Sequence, residues 1–140
     1  MKARCIACCV VAAAVCGVVL AMEEAKLRLR SVDGKTLSAA DLHAASVDVQ
    51  PDFDLRYAAY RDLVARKLVV KTGFKYGTHF RVYLGGVKEA HAPYLVHCLA
   101  EGREVPWAEA AGFVRLAHGV KKEMLFASGG SYLRLLRTKP

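Results

Sequence analysis

Val69-Val70-Lys71-Thr72-Gly73-Phe74-Lys75-Tyr76-Gly77-Thr78-His79-Phe80-Arg81-Val82-Tyr83 reads as strand, glycine-punctuated loop and strand. β-branched and aromatic residues mark its two ends, and Gly73 and Gly77 bracket the turn. A hairpin of this kind needs a sheet to join, and the following residues supply one. Tyr94 to Leu99 is almost continuously apolar, the pattern of a strand covered on both faces, which predicts a central position. Trp107 to His118 is a helix begun after Pro106 and closed by Gly119 in the C′ role. Glu123 to Ala127 and Tyr132 to Leu136 pair across Ser128-Gly129-Gly130-Ser131. Upstream, Phe53 to about Lys67 carries Leu55, Ala58, Ala59, Leu63 and Val64 near helical spacing. Helices and strands alternate, so the class is mixed α/β (α+β).

Before Pro51-Asp52, the best candidate for a boundary, the chain has a different character. Lys26 to Arg30 alternates charged and apolar residues as a half-exposed strand does, and Asp33-Gly34 closes a turn. Ser38, with Asp41 three positions on, caps a short helix. Residues 5–22 form an apolar run of eighteen behind Lys2 and Arg4. In isolation the run fits a signal peptide, or a membrane span at the lower limit of length. It also fits a helix buried inside the fold. The organisation expected is a reduced N-terminal part, 1–50, followed by a larger domain, 51–140.

The net charge of +8 is uneven: residues 1–50 carry six Lys/Arg against five Asp/Glu, and residues 51–140 carry fifteen against eight. The excess in the second half fits a polyanionic partner such as nucleic acid, and on charge alone it fits an ordinary basic surface equally well. Of five cysteines, Cys5, Cys8, Cys9 and Cys16 lie in the apolar run and Cys98 in the central strand. Cys5-x-x-Cys8 has the spacing of half a zinc site, but no second pair matches it, so packing is the favoured reading.

Tyr83, His91 and Lys122 stand in this basic half at the ends of predicted elements. Cutting RNA by internal attack requires a base for the ribose 2′-OH, an acid for the leaving 5′ oxygen and a cation for the phosphorane. A histidine with an ordinary pKa of about 6.5 suits proton donation near neutrality, and an ammonium suits the charge. A phenol, near 10, is a poor base unless neighbouring cations lower it. On spacing alone each of the three also reads as a surface residue. His97, in an apolar strand, reads as a satisfied core histidine, and His118 as a cation at a helix C-terminus. His79 stays open.

Taken together, several separated motifs carry a resemblance. Asp52-Phe53-Asp54-Leu55-Arg56-Tyr57, Tyr60-Arg61-Asp62-Leu63, the Val69 to Tyr83 hairpin, His91-Ala92, Tyr94-Leu95-Val96-His97 and Phe113 to Lys122 occur in order. This pattern resembles the C-terminal catalytic domain of archaeal tRNA-splicing endonucleases over residues 52 to about 127. The resemblance implies a restriction-endonuclease-like domain with a central mixed sheet flanked by helices. It implies cleavage of precursor tRNA at a bulge-helix-bulge structure, leaving 2′,3′-cyclic phosphate and 5′-hydroxyl ends, with no metal and no cofactor. Implied roles are Tyr83 as general base, His91 as general acid and Lys122 as transition-state stabiliser. Arg115 and Arg137 match two arginines that sandwich a bulge base from the opposing subunit, which implies a homo-oligomer or a hetero-oligomer with a related structural subunit.

Two departures accompany the resemblance. Residues 1–50 correspond to a shortened version of the relatives' N-terminal domain, which turns the apolar run into a buried helix and the chain into a cytoplasmic one. The last hairpin turn lacks the acidic residues that relatives dock into a neighbour, which suggests that a sister subunit supplies them. Two other readings stay open: a non-catalytic RNA-binding subunit of the same complex, and a secreted or membrane-anchored basic protein that uses residues 1–22 as a leader.

Overall fold

A computed structural model describes residues 12–85 and 91–138. Cys5, Cys8 and Cys9, and the first part of the apolar run, lie outside the described residues. The elements follow in the order α1 (Ala12–Glu23), β1 (Leu29–Arg30), β2 (Thr36–Leu37), α2 (Ala39–Val49), α3 (Phe53–Ala65), β3 (Val69–Thr72), β4 (Phe80–Tyr83), β5 (Tyr94–Cys98), α4 (Trp107–Gly119), β6 (Glu123–Ser128) and β7 (Ser131–Leu135). A single 3-10 turn, Phe74–Tyr76, bridges β3 and β4. The class is the mixed α/β one expected.

β3 to β7 form one five-stranded sheet in sequence order, so β5 is central, as its apolarity predicts. Only the β5–β6 pair is parallel, and α4 is its crossover. β5 is buried on both faces. Val96 and Cys98 join a cluster with Cys16, Val19, Phe53, Leu63, Phe80 and Val82, under α1 and α3. Leu95 joins Leu99, Ala117, Met124 and Phe126 under α4. α1 is thus core material of the same body: Cys16 and Val19 have no exposed surface, and a methyl on Gly17 would stand 2.9 Å from the Tyr60 hydroxyl. Burial pushes the Cys16 and Cys98 thiols up to about 12, which fits packing rather than redox work. Among the described residues no helix is long and apolar enough to cross a membrane.

Local signals explain most boundaries. Ser38 and Asp41 form the complete capping box at the start of α2. Gly129 and Gly130, both at positive φ, make the two-residue turn between β6 and β7, each strand reaching one residue further into it than expected. The end of α4 differs from expectation. Gly119 is the last residue of the helix, and Lys121 instead takes the left-handed conformation at φ 56°. The Lys122 N–H donates to the Ala117 carbonyl and the Lys121 N–H to that of His118, the pair of bonds that defines a Schellman end. Ala25 and Lys67 end α1 and α3 in the same way, so tertiary closure, not glycine, fixes all three exits.

At the far end of the sheet, the His79 and His97 rings stack at 4.3 Å. His79 Nδ1 accepts the Cys98 N–H at 2.8 Å, whereas His97 Nδ1 is buried without a partner, so the satisfied core histidine expected at 97 is instead a packed, unsatisfied one. Burial lowers the pKa of both, and His79, further repelled by His97 and Arg56, falls to about 3. Histidines of the unfolded chain titrate near 6.5, so falling pH protonates the unfolded state first. Stability that is full above about pH 6.5 is therefore lost between there and about pH 3. His79→Asn, which retains an acceptor for Cys98, should make the fall in stability from pH 6.5 to 4 shallower, by up to about 1.4 kcal/mol per pH unit. Urea unfolding at a series of pH values measures this, and an unchanged slope would refute it.

Candidate active site

Strand register gathers the predicted site residues at one end of the sheet. Tyr83 closes β4 opposite Val69, the first residue of β3. Val82 pairs with Tyr94 and Tyr94 with Glu123, and the Glu123 N–H donates to the Pro93 carbonyl at 2.9 Å. One step outward, Tyr83, Pro93 and Lys122 therefore occupy a single row across β4, β5 and β6. Neighbouring strands lie about 4.8 Å apart, which sets the backbones of Tyr83 and Lys122 about 10 Å from each other. Alternation puts both on the α4 side of the sheet, the side that Leu95 and Met124 face.

Two devices hold Lys122. Its backbone is the last residue of the Schellman end of α4, so the helix exit and the start of β6 fix it together. Its ammonium donates to the Ala92 carbonyl at 2.5 Å in a partly buried setting and lies 5.8 Å from the centre of the Tyr76 ring. Ala92 is 2% exposed, so this anchor does not move freely. His91, the residue before it, is exposed where the chain turns into β5. The lysine thus reaches the histidine's own segment.

Tyr83 is half-buried, and two cations flank its ring: Lys71 Nζ at 5.1 Å from the centroid and the Arg81 guanidinium at 6.0 Å. Sequence reading missed Lys71, Arg81 and Tyr76. The hairpin register would have found the first two, since it pairs Lys71 with Arg81 on the Tyr83 face. Tyr76 sits in the 3-10 turn, where no periodicity announces a direction. Arg115 is exposed in the second half of α4, and Arg137 is exposed beyond β7, where the chain leaves the sheet at the Lys122 end. Neither joins the contacts made by Tyr83 and Lys122. Among the described residues no group of three His, Cys, Asp or Glu side chains could hold a metal ion.

The arrangement offers a phenol, an imidazole and a fixed ammonium at one basic sheet end, the groups an acid–base transfer at an anion requires. A family model described as tRNA intron endonuclease, catalytic C-terminal domain, matches residues 53–132. A tRNA-splicing endonuclease of Methanococcus maripaludis is 38% identical over 102 residues, covering 72% of this chain and 58% of its own. Those of Hyperthermus butylicus and Sulfolobus acidocaldarius are 35% and 37% identical, covering 85% and 68% of this chain. The chain spans 58%, 69% and 52% of these three relatives, little more than half in two of them.

The left-handed Lys121 beside Lys122 gives the first test at this end of the molecule. A side chain in that conformation costs about 1–2 kcal/mol, partly offset by the greater freedom of glycine in the unfolded chain. Lys121→Gly should raise stability by about 0.5–1 kcal/mol in denaturant unfolding, and a loss of stability would contradict the cap described.

Proposed function

Because this chain belongs to the tRNA intron endonuclease family through its catalytic C-terminal domain, we propose that it is a catalytic subunit that cuts precursor tRNA at bulge-helix-bulge intron junctions. Residues 51–140 form the nuclease domain in this reading, and residues 1–50 a reduced N-terminal part. The observation that supports it best is the row holding Tyr83 and Lys122, with the lysine ammonium on the Ala92 carbonyl next to His91.

Tyr83 takes the proton from the 2′-OH at the cut site, and the freed oxygen attacks the adjacent phosphorus. The bond to the 5′ oxygen breaks, and His91 delivers a proton to that oxygen as it leaves. The products are a 2′,3′-cyclic phosphate and a 5′-hydroxyl. Lys122, held by Ala92 before substrate arrives, offsets charge on the non-bridging oxygens without having to be ordered during the reaction. Arg115 and Arg137 serve the site of an opposing subunit, stacking on a bulge base, which makes the working form an oligomer with a second copy or a related structural subunit. Their exposure supports that assignment.

His91→Ala and Lys122→Ala should each reduce cleavage of a bulge-helix-bulge RNA by about 10²–10⁴-fold with binding largely kept. Tyr83→Phe should lose rate as well. Single-turnover assays with end-group analysis measure both rate and product chemistry. Full activity in the His91 and Lys122 variants would remove the roles, and binding without any cleavage by the unaltered protein would favour the alternative, a non-catalytic RNA-binding subunit. Cleavage should persist in EDTA, and its abolition there would point to a metal-dependent nuclease.

A further inference from the structure

Lys71 and Arg81 are direct cross-strand partners on β3 and β4, so two positive charges face each other on one side of the sheet. Like charges in that position destabilise a sheet unless something offsets them. Elsewhere several cations are paired with carboxylates: Arg56 with Asp52, Arg66 with Asp62, Arg103 with Glu109, and Arg134 with Glu123. Lys71 and Arg81 meet no carboxylate among the described residues, and the Arg81 Nε is buried without an acceptor. Their only polar-to-ring contacts are with Tyr83, which both flank. The outer guanidinium nitrogens of Arg81, opposite an ammonium and beside a phenol, are the donors that phosphate oxygens fit.

We propose that Lys71 and Arg81 form a phosphate subsite, taking a backbone phosphodiester of the RNA that neighbours the one to be cut. Lys122 and the Ala92 carbonyl lie toward β5 and β6, whereas Lys71 and Arg81 lie two residues further into the sheet on β3 and β4, so the two cationic positions approach the phenol from different directions. The inference rests on the proposed function for the identity of the polyanion, while the anion site itself stands on the cross-strand pair. Lys71 and Arg81 act here in binding and touch no reacting atom.

The test uses the full chain, with its partner subunit where activity needs one, and a bulge-helix-bulge RNA carrying 2′-deoxyribose at the cut site, so that it binds uncut. Lys71→Gln and Arg81→Gln should each weaken binding about tenfold near 0.1 M salt. Each should also flatten the plot of log affinity against log salt by roughly 0.7, as expected for one lost phosphate contact on a single strand. Lys26→Gln, at an exposed residue paired with Glu24, serves as the control and should change neither. Because Arg81 is partly buried and its variant could perturb the sheet, a second measurement uses the unaltered protein. The Arg81 Nε–H resonance should shift on titration with inorganic phosphate and not with chloride of equal ionic strength.

Unchanged affinity and salt slope in Lys71→Gln would overturn the subsite, as would an affinity loss without a change of slope, which marks a packing role. A protein that cleaves normally with either result keeps its proposed function and loses only this inference. If the unaltered protein cuts nothing while phosphate still moves the Arg81 signal, the anion site stands and the nuclease reading falls.

Discussion

The ladder running from β4 through β5 to β6 is the constraint on which the rest of the molecule depends. Its register places the end of one strand, the approach to a second and the start of a third in a single row. Nothing in the chemistry of Tyr83 or Lys122 brings them together; the backbone does. Apolar burial in turn holds the backbone, since β5 has hydrophobic clusters on both faces and cannot slip without turning buried side chains outward. A site built on strand ends inherits this rigidity, whereas one built on loops would have to create its own.

Charge is laid over that frame in an orderly way. Arg56, Arg66 and Arg134 are tied to carboxylates one helical turn or one strand away. Around the site the cations lean on aromatic rings, Lys71 and Arg81 on Tyr83 and Lys122 on Tyr76. Ring faces hold a cation in place without neutralising it, so the positive field remains available to an incoming polyanion. The uneven distribution of charge along the sequence thus has a spatial counterpart.

Much of this was legible in the chain because the relevant signals are local. The unbroken apolarity of Tyr94 to Leu99 announced a central strand, Ser38 with Asp41 announced a capping box, and Gly129-Gly130 announced the last turn. Where Ala25, Lys67 and Lys121 carry left-handed backbone by tertiary enforcement, local signals mislead. Gly119 looked like the left-handed residue that closes α4, yet it is the last residue of the helix and Lys121 makes the turn. His97 shows the same limit: its strand was clear, but its stacking on His79 and its unsatisfied nitrogen depend on which strand ends meet. The candidate site divides along the same line. Tyr83, His91 and Lys122 could be singled out by residue type and motif, whereas the flanking Lys71 and Arg81 emerge only once the hairpin register is known.

Sharing one strand between two cores also spreads sensitivity through the molecule. The α1–α3 side and the α4 side have no independent existence, because each uses β5 as its floor. A cavity opened beneath either helix layer would tilt that common floor and, with it, the row at its end. Lesions far from the chemistry, at Val19 or Phe126 for example, are thereby transmitted as errors of alignment among groups they never touch, and catalytic competence becomes a property of the whole packed body.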